Sequence, residues 1–459
     1  GANDQVTVWG DLNLAGVSTV RIVPLAALDT LNPYTLFQYS TLSAGSAGNL
    51  NVVSDSRYNF TVLDTTLTPG LIQIQVSGSG AAATLVWRGN DAVNPTYWDT
   101  KVTPNWLNGV NPDRFFLGDA VVFDDSAVGT SVSLVGTLQP STISLNNMTT
   151  AFTLGGAGSL IAGSLTASGA AATTLANGAD NTFVGGVGIN SGSLCFANAG
   201  ANDFGTGISV NGGALILGNN SGNTLGSVTV AAGSLVATNA GANLFSPLTV
   251  NGGGVRIGNS VANTFGSIAL DAGTLTFEQS INLAVGAPIS GGGSLIKDGT
   301  NTLTLSANNS GFFGGIQVNA GTLRAGVANA LGTGSGGSFD GTTIAAGATL
   351  DVNGLNLGNE LVTVSGAGVG GLGAIVNSGA AQNNALHDVL LAGDTTFGGT
   401  GRWDIRTNAN GLANLGTGGN SYNLAKVGGN QVSIVSAVVD PALADVDVLA
   451  GTFSYELAS

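Results

Sequence analysis

Between residues 181 and 275 the chain repeats one short unit at nearly constant spacing. The units begin NTFVGG (181), NDFGTG (202), NTLGSV (223), NLFSPL (243) and NTFGSI (263), so successive Asn residues stand 21, 21, 20 and 20 apart. A large apolar residue follows each Asn two positions later, as Phe183, Phe204, Leu225, Phe245 and Phe265. Further along, each unit carries apolar pairs at alternate positions, such as Ile208 with Val210 and Leu215 with Leu217. A fixed period of this length, with one short unit per period, is the signature of a solenoid. Alternation at period two is a strand pattern, and Gly-rich turns such as Asn211-Gly212-Gly213 divide the unit into short strands.

One such unit cannot bury its own inner face. Stacked at about 4.8 Å, each coil pairs its backbone with the coil below, and equivalent side chains pile into columns. The expected fold is therefore all-β: a right-handed parallel β-solenoid or β-helix with about 20-residue coils, an elongated rod. Asn181, Asn202, Asn223, Asn243 and Asn263 are expected to stack inside as an amide ladder, beside a column containing Phe183, Phe204, Phe245 and Phe265. The same Asn residues could serve simply as turn formers. The constant offset of the following Phe or Leu favours the ladder.

A solenoid grows in one dimension, so 459 residues need not mean several globular domains. Coiling throughout would give about 20 turns and a rod of roughly 100 Å. Gly supplies 74 residues and charged residues only 8%. The net charge of −15 and pI near 4.1 exclude a nucleic-acid partner, which requires basic patches. Three lysines and eight arginines leave no basic stretch for a membrane surface, and no run of 18 apolar residues predicts a membrane-spanning helix. Cys195 is the single cysteine, so no disulfide framework is expected. Starting at Gly1 with neither initiator Met nor signal peptide, the chain reads as a mature or excised piece of something longer.

Four segments follow from the pattern. Residues 1–83 are a β-rich or solenoid segment without a visible period; 84–150 form a Trp-rich junction or insertion; 151–326 hold the regular repeats; 327–459 continue as a solenoid with a strand-rich end at 445–459. In the second segment Trp87, Trp98 and Trp106 fall among Pro and Asn. They suit a local core that plugs the solenoid, and alternatively a platform on which sugars stack.

The stretch GGGSLIKDGTNTLTLSANNSGFFGGIQVNAGTLRAG (291–326) contains Gly-Gly-Gly-x-Leu, Lys-x-Gly, Thr-Leu-x-Leu, Gly-Gly and Val-x-x-Gly-Thr-Leu in order. It resembles the autotransporter-associated β-strand repeat of bacterial passenger domains. The Trp-rich segment, GRWDIR (401–406) and YNLAKVGGNQVSIV (422–435) are similar to parts of the same large secreted proteins. The resemblance implies a secreted or surface-displayed β-helix and brings no catalytic residues with it. No β-barrel translocator follows here.

Chemistry is sparse. Asp119, Asp124 and Asp125 are the best carboxylate cluster, more simply a solvated turn than an acid–base pair or calcium site. His387 is the only histidine and no nucleophile motif accompanies it, so neither a zinc site nor a triad is expected. Neither metal nor cofactor is called for. Cys195, Ile216, Val236, Arg256, Thr276 and Ile296 share one column, which Arg256 places on the outside. The expectation is a non-enzymatic, secreted structural rod that associates with copies of itself as a fibre, surface layer or stalk. The alternative is an adhesin binding glycans through the Trp-rich segment.

Overall fold

The structure is a computed structural model that describes residues 4–63, 70–333, 341–407 and 413–457. It is all-β, a parallel β-solenoid of about 15 turns with coils of about 21 residues. From residue 131 to 290 each coil contributes three short strands to three separate sheets. Asn181–Phe183, Val187–Ile189 and Ser193–Phe196 make one coil; Asn202–Asp203, Gly207–Val210 and Ala214–Leu217 make the next. The two pair in parallel register, Asn181 with Asn202, Val187 with Ile208 and Leu194 with Leu215. Strands this short are possible because neighbouring coils, not hairpin partners, satisfy their backbone groups.

Stacking converts sequence period into columns of identical environment. Leu194, Leu215, Leu235, Val255, Leu275 and Leu295 are each 0–1% exposed. Each contributes about 2 kcal/mol of burial, and they belong to one apolar core that runs from Leu85 to Ala437. At the corner between the second and third strands of each coil, the chain turns through a left-handed glycine: Gly192, Gly213, Gly233 and Gly253 have φ of 68°, 68°, 76° and 102°. A Cβ on Gly213 would meet the Gly192 carbonyl oxygen at 2.3 Å. That corner is closed to any side chain.

Coiling begins before residue 151. Thr84–Trp87 pairs with Ala120–Phe123, which pairs with Thr142–Leu145, and Tyr97–Trp98 pairs with Ser131–Leu134. The Trp-rich segment is therefore built into the first coils, with an antiparallel strand Trp106–Asn108 folded against Thr84–Trp87. From Leu283 on, the face that held Asn181–Phe183 and its equivalents carries leucine: Leu283, Leu303, Leu323, Leu350 and Ile375 lie in register. The long strand Asp388–Gly399 then pairs with both Leu361–Gly366 and Ile375–Asn377, joining two faces.

The described residues of 4–77 lie outside the 21-residue coils, so the turns are fewer than the full length would give. They form a four-stranded mixed sheet in the order Val6–Leu14, Tyr34–Gly45, Leu71–Ser77, Asn59–Val62, with a small core of Leu14, Ala47, Leu50 and Ile72. Among the described residues no helix is long and apolar enough to cross a membrane.

Candidate functional site: amide ladders and the aromatic plug

The most elaborate polar arrangement is inside the rod. Asn181, Asn202, Asn223, Asn243 and Asn263 are buried, and Nδ2 of Asn181, Asn202 and Asn223 donates to Oδ1 of the next Asn at 3.1, 2.9 and 2.8 Å. A second column, Asn177, Asn198, Asn219, Asn239 and Asn259, stands four residues earlier in each coil and is equally buried. The two columns are bonded crosswise. Asn219 and Asn223 exchange two bonds of 3.0 Å, Asn239 and Asn243 bonds of 3.0 and 2.8 Å, and Asn259 and Asn263 bonds of 3.0 and 2.7 Å. The remaining Nδ2 proton of the earlier Asn caps the turn: Asn198, Asn219 and Asn239 donate to the carbonyls of Gly200, Ser221 and Gly241. The second column was legible as Asn-x-x-x-Asn, in NAGAN, NNSGN and NSVAN, but aligning the units on a single Asn hid it. Beside the ladder, Phe183 stacks on Phe204 at 5.8 Å and Phe245 on Phe265 at 4.9 Å; Leu225 separates the two pairs.

Where the ladder ends, lysine takes over the corner. Lys297 is 3% exposed, and its ammonium donates to the carbonyls of Gly299 and Ala320. Lys426, fully buried, does the same with Val427, Gly428 and Ala450 at 2.6, 3.0 and 3.2 Å. Both lie in Lys-x-Gly, so that spacing places a cation two residues before a turn whose carbonyls need donors. Burial pushes Lys297 down to about 8 and lowers Lys426 as well. The Gly-Gly-Gly at 291–293 has an equally local cause. A Cβ on Gly292 would lie 2.5 Å from the Phe313 ring, and one on Gly314 would lie 1.8 Å from the Gly293 carbonyl.

The three tryptophans close the first coils. Trp87, Trp98 and Trp106 are 0, 0 and 1% exposed and pack edge-to-face, 4.9 Å between Trp87 and Trp106 and 5.2 Å between Trp98 and Trp106. Phe115 and Phe123 complete the cluster, and Trp87 Nε1 donates to the Gly129 carbonyl at 2.7 Å. The stacking-platform expectation for Trp87, Trp98 and Trp106 is corrected here: no ring offers a face to a sugar. They form the plug.

The carboxylates are dispersed to structural tasks. Asp119 is fully buried, accepts the N–H groups of Ala83 and Phe116 at 2.8 Å each, and receives Arg57 Nε and Nη2 at 2.8 and 2.6 Å. Arg57 also bonds Asp113 at 2.8 Å and lies 4.7 Å over the Phe116 ring. It thereby fastens the N-terminal sheet to the plug. Asp124 caps Ser126, whereas Asp125 accepts the N–H groups of Met148, Thr149 and Thr150. His387 is buried with Nδ1 2.6 Å from the Arg406 carbonyl oxygen. A charged cluster unforeseen in the sequence sits on the last sheet, where Arg402 and Arg406 flank buried Asp404 at 2.9 and 3.0 Å and Arg402 reaches Glu456. Among the described residues no group of three or more His, Cys, Asp or Glu could hold a metal ion.

The column of Cys195 lies on the outer side of the sheet built from Ser193–Phe196 and its equivalents. Cys195, Ile216, Val236 and Ile296 are half-buried and Arg256 is exposed, but Thr276 is buried, in the coil that Arg256 crosses to pair with Glu278 at 2.6 Å. Burial raises the Cys195 thiol above its ordinary value. A shallow groove of about 390 Å³ follows the outside of the sheet built from Asn181–Phe183 and its equivalents, past Asp180, Thr182, Asp203 and Thr224.

Stacked columns within and dispersed polar residues without define a parallel β-solenoid. The passenger-associated-transport-repeat family matches this chain twice, over residues 165–194 and 295–325. Those matches and the fold are consistent with an autotransporter-associated β-helix repeat protein, passenger-like, and the family suggests a secreted or surface protein. The first match spans Asn177 and Asn181, the second Lys297, so each holds one of the two corner chemistries. No curated protein and no solved structure matches the chain.

Proposed function

We propose that the chain is the rod of a secreted structural protein, a passenger-like solenoid that holds its shape outside the cell and associates with copies of itself. The observation that carries this reading is the unbroken core from Leu85 to Ala437, with amide, phenylalanine and leucine columns where an enzyme would place a site. Every buried carboxylate discussed above is neutralised or capped by a structural partner, which supports a non-enzymatic role. Self-association is supported by the N-terminal sheet. Its outermost strand, Val6–Leu14, pairs on one side only and carries Trp9 at 92% exposure, near Leu25 and Leu31 at 96% and 87% in sequence. A long apolar edge strand invites pairing with another chain, and contacts that do not close on themselves yield filaments.

Electron microscopy of the purified protein, with sedimentation velocity across a concentration series, tests the proposal. Ordered rods joined into fibres or arrays are expected, and Trp9→Asp should shift the distribution toward single rods. Monomers alone at every concentration would refute the association.

A further inference from the structure

At residue 279 the ladder changes its chemistry. The earlier amide column runs from Asn259 into Gln279, whose Nε2 donates to the carbonyls of Asn259 and Val261 at 3.2 and 2.9 Å. The residue four positions on, Asn in five successive coils, is here Leu283. The reciprocal amide that should meet Gln279 Oε1 is therefore missing from the sequence. Gln279 is 4% exposed and its Oε1 has no hydrogen-bond partner in the protein. Turning the amide over would not help, because both Nε2 protons are committed to carbonyls.

One coil further on, Lys297 directs its ammonium toward the same corner. Two of its N–H groups go to the Gly299 and Ala320 carbonyls, and an ammonium has three. Gln279 and Lys297 together line a small cavity of about 10 Å³, with Phe277, Leu283, Asn301 and Thr302 completing its wall. That volume is close to one probe sphere, the least that holds a water molecule, and a buried water needs two to four polar partners.

We propose that this cavity binds a single water molecule, which donates to Gln279 Oε1, accepts from Lys297 Nζ, and stands in for the absent asparagine side chain. The chemistry of the walls selects the occupant. A metal cation would face an ammonium with no carboxylate in the wall to offset it. An anion would face the lone pairs of the orphaned carbonyl. Water alone supplies a donor to one wall and an acceptor to the other. The site marks the seam between the amide-laddered coils and the leucine-laddered ones, and it does not depend on whether rods associate.

A crystal structure at a resolution that orders internal waters tests this directly. One peak is expected within hydrogen-bond distance of both Gln279 Oε1 and Lys297 Nζ. A dry cavity, or Gln279 Oε1 paired with a protein donor, would overturn the proposal. The variant Leu283→Asn supplies the missing amide, so the peak should vanish and Gln279 should bond the introduced side chain. Retention of the water beside that amide would overturn its role as a substitute. If the variant fails to fold, the map of the unaltered chain decides.

Discussion

Asn219 and Asn223 hold each other's amides through two 3.0 Å hydrogen bonds within one coil, both residues nearly sealed from water. Asn223 Oδ1 also receives the backbone N–H and the Nδ2 of Asn202, and Asn223 Nδ2 passes on to Asn243. One side chain thus serves three coils.

Removing it should be felt well beyond its size. Asn223→Ala orphans the Asn202 backbone N–H and Asn219 Oδ1 and removes one of two donors to Asn243 Oδ1, and about 2–4 kcal/mol of stability should be lost. The exposed turn residue Asn211, bonded to Asn190 at 3.0 Å, is the control. Asn211→Ala should cost less than about 0.5 kcal/mol. Urea denaturation followed by far-ultraviolet circular dichroism compares the two.

The N-terminal sheet hangs on Arg57. Arg57→Ala leaves Asp119 charged and fully buried without its counter-ion, a loss of about 3 kcal/mol at the junction. Hydrogen exchange should rise through residues 71–77 and 84–87 and stay unchanged in the coils around Asn223. Arg57→Lys should recover only part of the protection, since lysine cannot grip both Asp119 oxygens as a fork.

Trp98→Ala should destabilise by about 3–5 kcal/mol, the cost of an aromatic-sized hole in a packed core. Trp98 touches Trp106, Phe115 and Phe123, so the near-ultraviolet dichroism of the plug should collapse as well. A loss confined to ligand binding, with stability intact, would contradict the plug.

Two groups make pH signatures of the same sign in separate windows. Hydrogen bonds from the N–H groups of Ala442, Gly419 and Thr417 hold Asp440 down to about 2 from 3.8. Its folded pKa is below its unfolded one, so its contribution is complete above about 3.8 and disappears as pH falls toward 2. Asp440→Asn should flatten that part of the acid transition. Burial lowers Lys297 from 10.5 to about 8, so the unfolded chain binds the proton more readily between those values, and stability should rise with pH across that window. Lys297→Met should abolish the rise. Thermal midpoints measured across both ranges check the signs.

The fold was legible because one residue type, Asn, recurs at a spacing that only stacked coils explain. The columns of Phe and Leu followed from the same alignment. The plug was legible in part, since three tryptophans among prolines announce either a core or a surface, and burial is a property of three dimensions. Arg57 and Asp119, 62 residues apart, carry no local pattern that pairs them. Asp404 between Arg402 and Arg406 was written in GRWDIR, but strand alternation alone does not say what shields an outward carboxylate. The N-terminal sheet escaped because its mixed parallel and antiparallel order leaves no period.

The glycine corner sets the terms on which such a rod can grow. Where a side chain would stand, the carbonyl of the preceding coil already stands, at Gly213 as at Gly314, whose Cβ would lie 1.8 Å from the Gly293 oxygen. Between Val210 and Ala214, and again between Val250 and Gly254, that corner holds three residues. Extra length enters elsewhere: Leu295 and its register partner Ile316 stand 21 residues apart, Ile316 and its partner Thr342 stand 26 apart. Such a rod can lengthen by whole coils or carry additions away from that corner, while the corner itself keeps its gauge like the spine of a zip.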